Sequence, residues 1–528
     1  MSLQERAVRA FAEASASLDG SAHDPLRAIL EDAKASILGP MRVAVAGRIK
    51  TGKSTMINAL LGEPVVATGP EELTYNVNWF VHDKTPGLVV HFKDDRPPQP
   101  RPISWLERLA NRGGADPEVL RSIRHIEVRY PRDILTQLEL IDTPGFGSFF
   151  DTDSRNALEF LGISADDIDR TTRQHAGGAD AVLYLFARSL AATDQNIVAD
   201  FQGSAIGDFT PVNAIAVLTK TDAYWSPDEP EADPLAVGTA IACRIASEPG
   251  VERTFFAVLP LCGLLAAGAA TLSATDLESL RDLAGVPPDV LLRRLRYAHR
   301  FATRPYDDLP VPAERRSVLV EHLGQYGIWI ACDLLRAASL DPLALRAGLL
   351  ERSGLPALQE LLLSHFGNRA VLIKTAGAVN RSRVACARAA QQLSDASVSS
   401  VAASAAAAAG GRLEAFEVDE HAVAELGLLR ALYRDEDRLG LTADEVIELL
   451  AVTGEHGRTC AYRLAMDPRS TPDEMLGAAG ERARYWRRRS DNFGLPSSTA
   501  YAARTLLRSY ELISHHLRAA KRHLELDE

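Results

Sequence analysis

The residues most able to do chemistry lie in four short clusters, each closing an apolar run. Arg42-Val43-Ala44-Val45-Ala46 leads straight into Gly47-Arg48-Ile49-Lys50-Thr51-Gly52-Lys53-Ser54-Thr55, and Met56-Ile57-Asn58-Ala59-Leu60-Leu61 begins an amphipathic helix. The spacing is GxxxxGK[ST] in a strand–loop–helix context, so loop amides and a helix N-terminus can converge on phosphate oxygens. Lys53 would place a point charge on the β- and γ-oxygens, and Ser54 a hydroxyl on Mg2+. A glycine-containing turn before a helix is the plain alternative, and the agreement of strand, spacing and helix argues against it.

The second cluster closes the strand-like run 138–141 with Asp142-Thr143-Pro144-Gly145. A carboxylate at the carboxyl end of a parallel strand can reach a metal, usually through water, and Gly145 can offer an unhindered amide to a γ-phosphate. The third is Leu218-Thr219-Lys220-Thr221-Asp222. Asp222 can accept two hydrogen bonds from guanine N1–H and its exocyclic amine; adenine lacks that donor pair, so this carboxylate would select GTP over ATP. The stem of Lys220 would lie across the purine, and a solvated Lys–Asp loop is the alternative. The fourth, Leu259-Pro260-Leu261-Cys262-Gly263, is weaker, with Cys262 read either as a packing residue or as a neighbour of the base.

Positioning these clusters requires a sheet. Strand-like runs recur at 75–82, 88–93, 125–130, 138–142, 179–187, 214–219 and 254–261, with helical stretches such as 104–112 and 193–201 between them. That alternation predicts an α/β domain with a mostly parallel sheet and helices on both faces. Residues 4–37 read as helical, with Gly20 and Pro25 as breaks. Beyond about residue 275 helical spacing dominates, at 280–295, 318–337 and 355–366, then through an alanine-rich run at 402–409 ahead of Gly410-Gly411. From Glu414 onward an antiparallel bundle is expected, with the N-terminal helices as candidates to complete it. The expected domains are 1–40, 41–370 and 371–528.

Composition excludes several classes. The 528 residues carry 58 basic and 70 acidic side chains, a net charge of −12, so the surface as a whole cannot coat nucleic acid, and no nucleic-acid partner is expected. Five widely spaced cysteines without a CxxC pair give neither a disulfide framework nor a zinc site, which fits a reducing cytosol. The apolar run 255–272 contains Pro260, Gly263 and Gly268, and reads as strand, loop and helix start rather than a membrane span. The opening MSLQERAVRAFAEAS lacks the uninterrupted apolar core of a signal peptide. Residues 482–523 hold ten basic side chains against Asp491 and Glu511. An anionic membrane surface could attract them, with Trp486 at the headgroups. The favoured reading pairs them instead with acidic runs such as Asp419-Glu420 and 435–437 on a neighbouring helix.

Taken together, the four clusters resemble the guanine-nucleotide P-loop proteins. Lys53 to Asp142 spans 89 residues and Asp142 to Lys220 spans 78, leaving room for extra strands and helices. With helices drawn from both ends, the chain resembles the dynamin superfamily, in particular the bacterial dynamin-like GTPases related to the mycobacterial isoniazid-inducible proteins. Ser353-Gly354-Leu355-Pro356-Ala357-Leu358 resembles the stretch near the end of that family's GTPase domain.

The resemblance implies GTP hydrolysis with Mg2+, a nucleotide-dependent homodimer or hetero-oligomer with another dynamin-like protein, and head contacts that move a helical bundle, with membrane remodelling as the output. It implies a nucleotide site over Gly47, Lys50, Thr51, Gly52, Lys53, Ser54, Thr55, Gly145, Lys220, Asp222 and Cys262. A switch threonine should close over the metal. Thr74 is favoured over Thr68, so the metal set is Ser54, Thr74 and Asp142 and the catalytic set is Lys50, Lys53 and Thr74. The expected place is the cytoplasm, peripheral to the inner face of the cell membrane where lipid is engaged. One departure stands out. Dynamins carry Gln-Ser where this chain has Ile49-Lys50; Ile49 cannot hydrogen-bond through its side chain, and Lys50 matches the position of a cis arginine finger in guanylate-binding proteins and atlastins. Lys50 is therefore expected to neutralise leaving-group oxygens, against a lysine that faces solvent or pairs across a dimer. Phe146 rather than a glutamine follows Gly145, so slow basal hydrolysis is expected. The rival from another class is a cytosolic GTP-switched regulatory module without membrane activity. An ATP-using enzyme would require Asp222 not to meet the base.

Overall fold

The computed structural model describes residues 2–48, 50–66, 76–94, 96–110, 117–142, 179–187, 210–338, 341–395, 400–434, 439–457, 459–492 and 494–526. Two units emerge: Pro40–Phe209 with Asn213–Asn368, and Met1–Gly39 with Thr210–Val212 and Arg369–Glu528. Among the described residues no helix is long and apolar enough to cross a membrane.

The first unit is built on β1 (Met41–Gly47), which is buried at nearly every position, as a strand inside a parallel sheet must be. Its companions are β2 (Asn78–His82), β3 (Gly87–Phe92), β4 (Gln99–Arg101), β5 (Ile123–Tyr130), β6 (Leu138–Asp142), β7 (Ala181–Ala187), β8 (Ala214–Thr219) and β9 (Val258–Leu261). They form one sheet in the order β4-β3-β5-β2-β6-β1-β7-β8-β9. β6, β1, β7, β8 and β9 run parallel, and β2 joins β6 antiparallel. Register aligns Val45 with Asp142, Gly47 with Leu185 and Thr219 with both Ala187 and Leu261. The carboxyl ends of the parallel strands therefore share one edge of the sheet, where ligands of open α/β folds bind. The α/β expectation is met.

Several local expectations are corrected. β4 carries no strand signal of its own, because its Gln-Pro-Arg sequence sits among prolines that suit only an edge strand, and β4 is at the edge. The helix expected over 280–295 is two helices, Ala274–Ala284 and Pro288–Leu295, separated by Gly285-Val286-Pro287. The alanine-rich run lies in one helix, Ser400–Asp419, which continues through Gly410-Gly411. The run 255–272 is, as expected, strand, loop and helix start: β9, then helix Gly263–Thr271, whose Gly268 lies so close to helix Ala313–Ala337 that a Cβ would stand 2.2 Å from the His322 carbonyl oxygen. The helical stretch expected at 193–201 lies outside the described residues.

In the second unit α1 (Leu3–Ala16) starts from a Ser2–Glu5 capping box, and α2 (Asp24–Leu38) carries Pro25 in its first turn, where a missing N–H costs nothing. Phe11, Leu30 and Ile37 are buried in one core with Val379, Cys386 and Leu413, and Ala406 and Ala409 let backbones approach closely there. Glu420 receives a bidentate pair from Arg6 rather than from the basic run. Positions 435–437 lie outside the described residues. The arginines of 482–523 that are paired meet other acids: Arg482 meets Glu448 at 3.1 Å, Arg489 meets Glu445 at 3.0 Å, and Arg487 meets Glu511 at 2.9 Å. Trp486 is fully buried and donates its indole N–H to Glu448 at 2.9 Å, so it does not present a ring to headgroups.

Arg316 is a second buried organiser that periodicity could not reveal. Its Nε donates to the Phe301 carbonyl at 2.7 Å, and its two terminal nitrogens donate to the carbonyls of Val311 and Arg304. The guanidinium also stacks near the rings of Phe301 and Tyr306, at 5.4 and 5.2 Å. One side chain thus satisfies three carbonyls of the 301–311 turn that would otherwise lack partners. Replacing Arg316 with Met keeps the bulk and removes the donors. The expected loss is about 3 kcal/mol, read as a melting transition lowered by roughly 5 °C; an unchanged transition would mean that water serves those carbonyls equally well.

Candidate functional site

β1 can deliver the phosphate-loop motif only because its last residue is glycine. Gly47 has φ 151°, and a Cβ there would lie 2.3 Å from the Leu185 carbonyl oxygen of β7. The loop then turns through left-handed Lys50 (φ 63°) and Gly52 (φ 91°) into α3 (Lys53–Leu61). Thr51 closes the turn by donating its hydroxyl to the Arg48 carbonyl at 2.8 Å. Ser54 and Thr55 occupy the first turn of α3, half-buried. Lys53 is 7% exposed and donates to the carbonyls of Gly47 and Arg48, each at 3.1 Å.

Asp142, at the carboxyl end of β6, is wholly buried. Burial raises its pKa to about 6, against the opposing pull of the Lys53 ammonium and of Asn78, its register partner on β2. Lys53 responds in mirror image, with burial lowering its pKa to about 8 and Asp142 resisting. At neutral pH both groups are therefore charged. Among the described residues neither carboxylate oxygen of Asp142 has a hydrogen bond of ordinary geometry, and the two groups form no direct ion pair. A buried carboxylate without partners is costly unless something else meets it, and the donor set suits metal-bound water.

Farther along the edge, Lys220 is exposed and left-handed at φ 58°, and Thr221–Tyr224 forms a short 3-10 turn carrying Asp222. Burial raises the Asp222 pKa, and the Cys262 thiol pulls it back. Cys262 is 1% exposed, its own acidity suppressed by burial and by Asp222. Cys262 packs, and its thiol faces the Asp222 carboxylate. Thr55 lies next to the same loop, since a Cβ on Gly263 would stand 3.6 Å from the Thr55 methyl.

The sheet edge accordingly brings together Gly47, Lys50–Thr55, Asp142, Lys220, Asp222 and Cys262. Gly145, Thr68, Thr74 and Phe146 lie outside the described residues, as does Ile49. Four further residues support the site, in roles that spacing does not assign. Thr219 donates its hydroxyl to the Thr51 carbonyl at 2.7 Å, with the Phe186 carbonyl at 3.1 Å, tying the ends of β7 and β8 to the phosphate loop. Asn58 is buried and holds Val66 in both directions, donating to its carbonyl at 2.7 Å and accepting from its amide at 2.8 Å. Ser353 accepts the Cys262 amide at 2.8 Å, and Gly354 is left-handed at φ 81°, where a Cβ would stand 2.6 Å from the Pro260 carbonyl oxygen. α3 is buried at every position from 56 to 61 rather than on one face, so Asn58, the polar residue in that apolar run, was a readable signal; the others act through backbone contacts that spacing does not encode.

Residues 43–220 match the Dynamin family. Isoniazid-induced protein IniC of Mycobacterium tuberculosis is 31% identical over 484 residues, covering 90% of each chain. The bacterial dynamin-like protein of Nostoc punctiforme is 27% identical over 129 residues, 23% of this chain and 18% of that one. A solved structure, described as an oligomerised bacterial dynamin pair for long-range sensing and tethering of membranes, covers 98% of this chain and 92% of its own. It does so at 10% identity and a TM-score of 0.34. With a relative this similar across nine-tenths of both chains, and with a P-loop, a strand-end aspartate and a TKTD turn gathered on one sheet edge, the chain belongs to the dynamin family, among its bacterial members.

Proposed function

We propose that this chain binds GTP with Mg2+ along the described sheet edge and hydrolyses it by in-line attack of water on the γ-phosphate. The reading rests first on the buried Lys53–Asp142 arrangement, two opposite charges held apart at the mouth of a phosphate loop, with the carboxylate oxygens lacking hydrogen bonds of ordinary geometry among the described residues. Membership of a GTPase family supports it. Lys53 would exchange its two loop carbonyls for β- and γ-oxygens, and Asp222 would take the guanine edge with the stem of Lys220 across the ring. Ser54, Thr74 and Asp142 would hold the metal, Asp142 through water. Bound there, Mg2+ supplies charge neutralisation between the β- and γ-phosphates. Lys50 would stand by the leaving-group oxygens, and Gly145 would offer its amide to the γ-phosphate.

In this proposal residues 41–370 form the GTPase domain, and residues 1–40 and 371–528 form the helical bundle. Nucleotide-dependent contact between two GTPase domains, in a homodimer or with another dynamin-like protein, changes the conformation of the bundle. The output is work on an anionic membrane surface at the inner face of the cell membrane.

Four outcomes are expected. Affinity for Mg2+–nucleotide, followed with a fluorescent GTP analogue, should be highest between about pH 6 and pH 8. Below that window Asp142 gains a proton and can no longer accept from metal-bound water; above it Lys53 loses the charge that meets the phosphates. Asp142→Asn should weaken binding at pH 7 and remove the acid limb beyond the nucleotide's own titration; an unchanged acid limb would separate Asp142 from the metal. Asp222→Asn should cost GTP at least about a hundredfold in affinity and improve binding of xanthosine triphosphate, whose edge matches an amide; undiminished GTP binding would place the base elsewhere. For Lys50→Ala, GTP turnover should fall about tenfold or more, with K+ restoring part of it. A rate equal to that of the unaltered protein, indifferent to K+, would remove Lys50 from the reaction.

A further inference from the structure

Helices Pro472–Ser490 and Ser497–Leu526 pack as an antiparallel hairpin, and a cleft of about 580 Å3 opens between them. Arg484 and Arg487 line one wall; Arg508, Glu511, His515 and Arg518 line the other. On each helix these residues follow one another at three- or four-residue steps, so each wall is a single helical face. Four guanidiniums against one carboxylate give the cleft three more positive than negative side chains, His515 aside, in a chain whose net charge is −12.

The same arginine-rich helix shows what pairing would look like. On another face Arg482 and Arg489 meet Glu448 and Glu445, as already described. In the cleft Glu511 is shared by Arg487 at 2.9 Å and Arg508 at 3.6 Å. Among the described residues no carboxylate pairs with Arg484 or Arg518. Holding these charges around one space is unfavourable through like-charge repulsion, and a bound dianion would reverse the sign of that energy. Guanidinium forks match phosphate oxygens two at a time, and a cleft of this volume accommodates a phosphorylated group. The buried Trp486 and half-buried Leu512 offer no apolar wedge, so recognition there is by charge and hydrogen bonding.

We propose that this cleft is an anion site for a phosphate ester carrying two or more negative charges, either in solution or as a lipid headgroup. None of its lining residues belongs to the sheet edge described above. The test uses the full chain loaded with one equivalent of GDP, and a double variant, Arg484→Glu with Arg518→Glu. Both positions are exposed and outside the nucleotide machinery, so melting behaviour and GDP affinity should match those of the unaltered protein. Sodium pyrophosphate is titrated in by calorimetry at low and high salt; in parallel the protein is sedimented with phosphatidylcholine vesicles with and without phosphatidic acid. The expected result is saturable, salt-sensitive binding in at least one arm, weakened roughly tenfold or more in the double variant. Pyrophosphate binding alone assigns a soluble ligand, and sedimentation with phosphatidic acid alone assigns a headgroup. No binding in either arm, or equal binding by both proteins, overturns the proposal and leaves the nucleotide reading untouched. A milder pair, Arg484→Gln with Arg518→Gln, guards against a fold lost to the inserted carboxylates and should fall between the two.

Discussion

One constraint organises the first unit: an ammonium and a carboxylate, both taken out of water, must face the same small space without touching. Linkage gives the sign of what that costs. A carboxyl whose folded pKa is raised to about 6 from 3.8 favours folding at low pH and loses that contribution as pH climbs through 6. An amine lowered to about 8 from 10.5 favours folding at high pH and loses its contribution as pH falls through 8. Between those values the nucleotide-free domain bears both penalties. The site is therefore destabilising in the very range where its charges are useful, and a ligand that meets both relieves the strain.

Holding such a pair requires stiff surroundings, and the sheet supplies them. Asp142 is fixed by register beside Val45 on one side and Asn78 on the other. Lys53 is fixed by a loop that only glycine at position 47 permits, because β7 comes so close. Thr219 then fastens the loop to two further strand ends with one hydroxyl. Rigid strand ends carrying polar groups at one edge are how an open α/β sheet makes a binding crevice. The arrangement explains why four clusters separated by more than two hundred residues act as a neighbourhood.

Much of this was legible in the sequence, for physical reasons. A phosphate loop announces itself because chain reversal, amide exposure and lysine placement each demand a residue type at a set interval. Buried parallel strands such as β1, β6 and β8 read clearly because both faces are apolar. Less legible were features fixed by partners distant in the chain. Nothing local said that Arg316 would serve three carbonyls, that Trp486 would turn inward to Glu448, or that Arg6 rather than the basic run would take Glu420. Helical spacing also overran Gly285-Val286-Pro287, because apolar periodicity on both sides happened to stay in phase.

The Ser353 carbonyl bound to the Cys262 amide has a consequence for the path of the chain beyond it. Cys262 faces Asp222, and Gly354 sits against Pro260, so the backbone leaving this edge is anchored beside the Asp222 carboxylate. From that anchor the polypeptide passes through helix Leu355–Leu361 and a wider π-helical turn, Leu362–Gly367, directly into helix Asn368–Asp395. A π turn inserts a residue into the helical ladder and is a common place for a helix to yield. The six residues of that turn therefore make the least regular stretch of the helical path, set directly behind a backbone fixed by one hydrogen bond and one glycine contact.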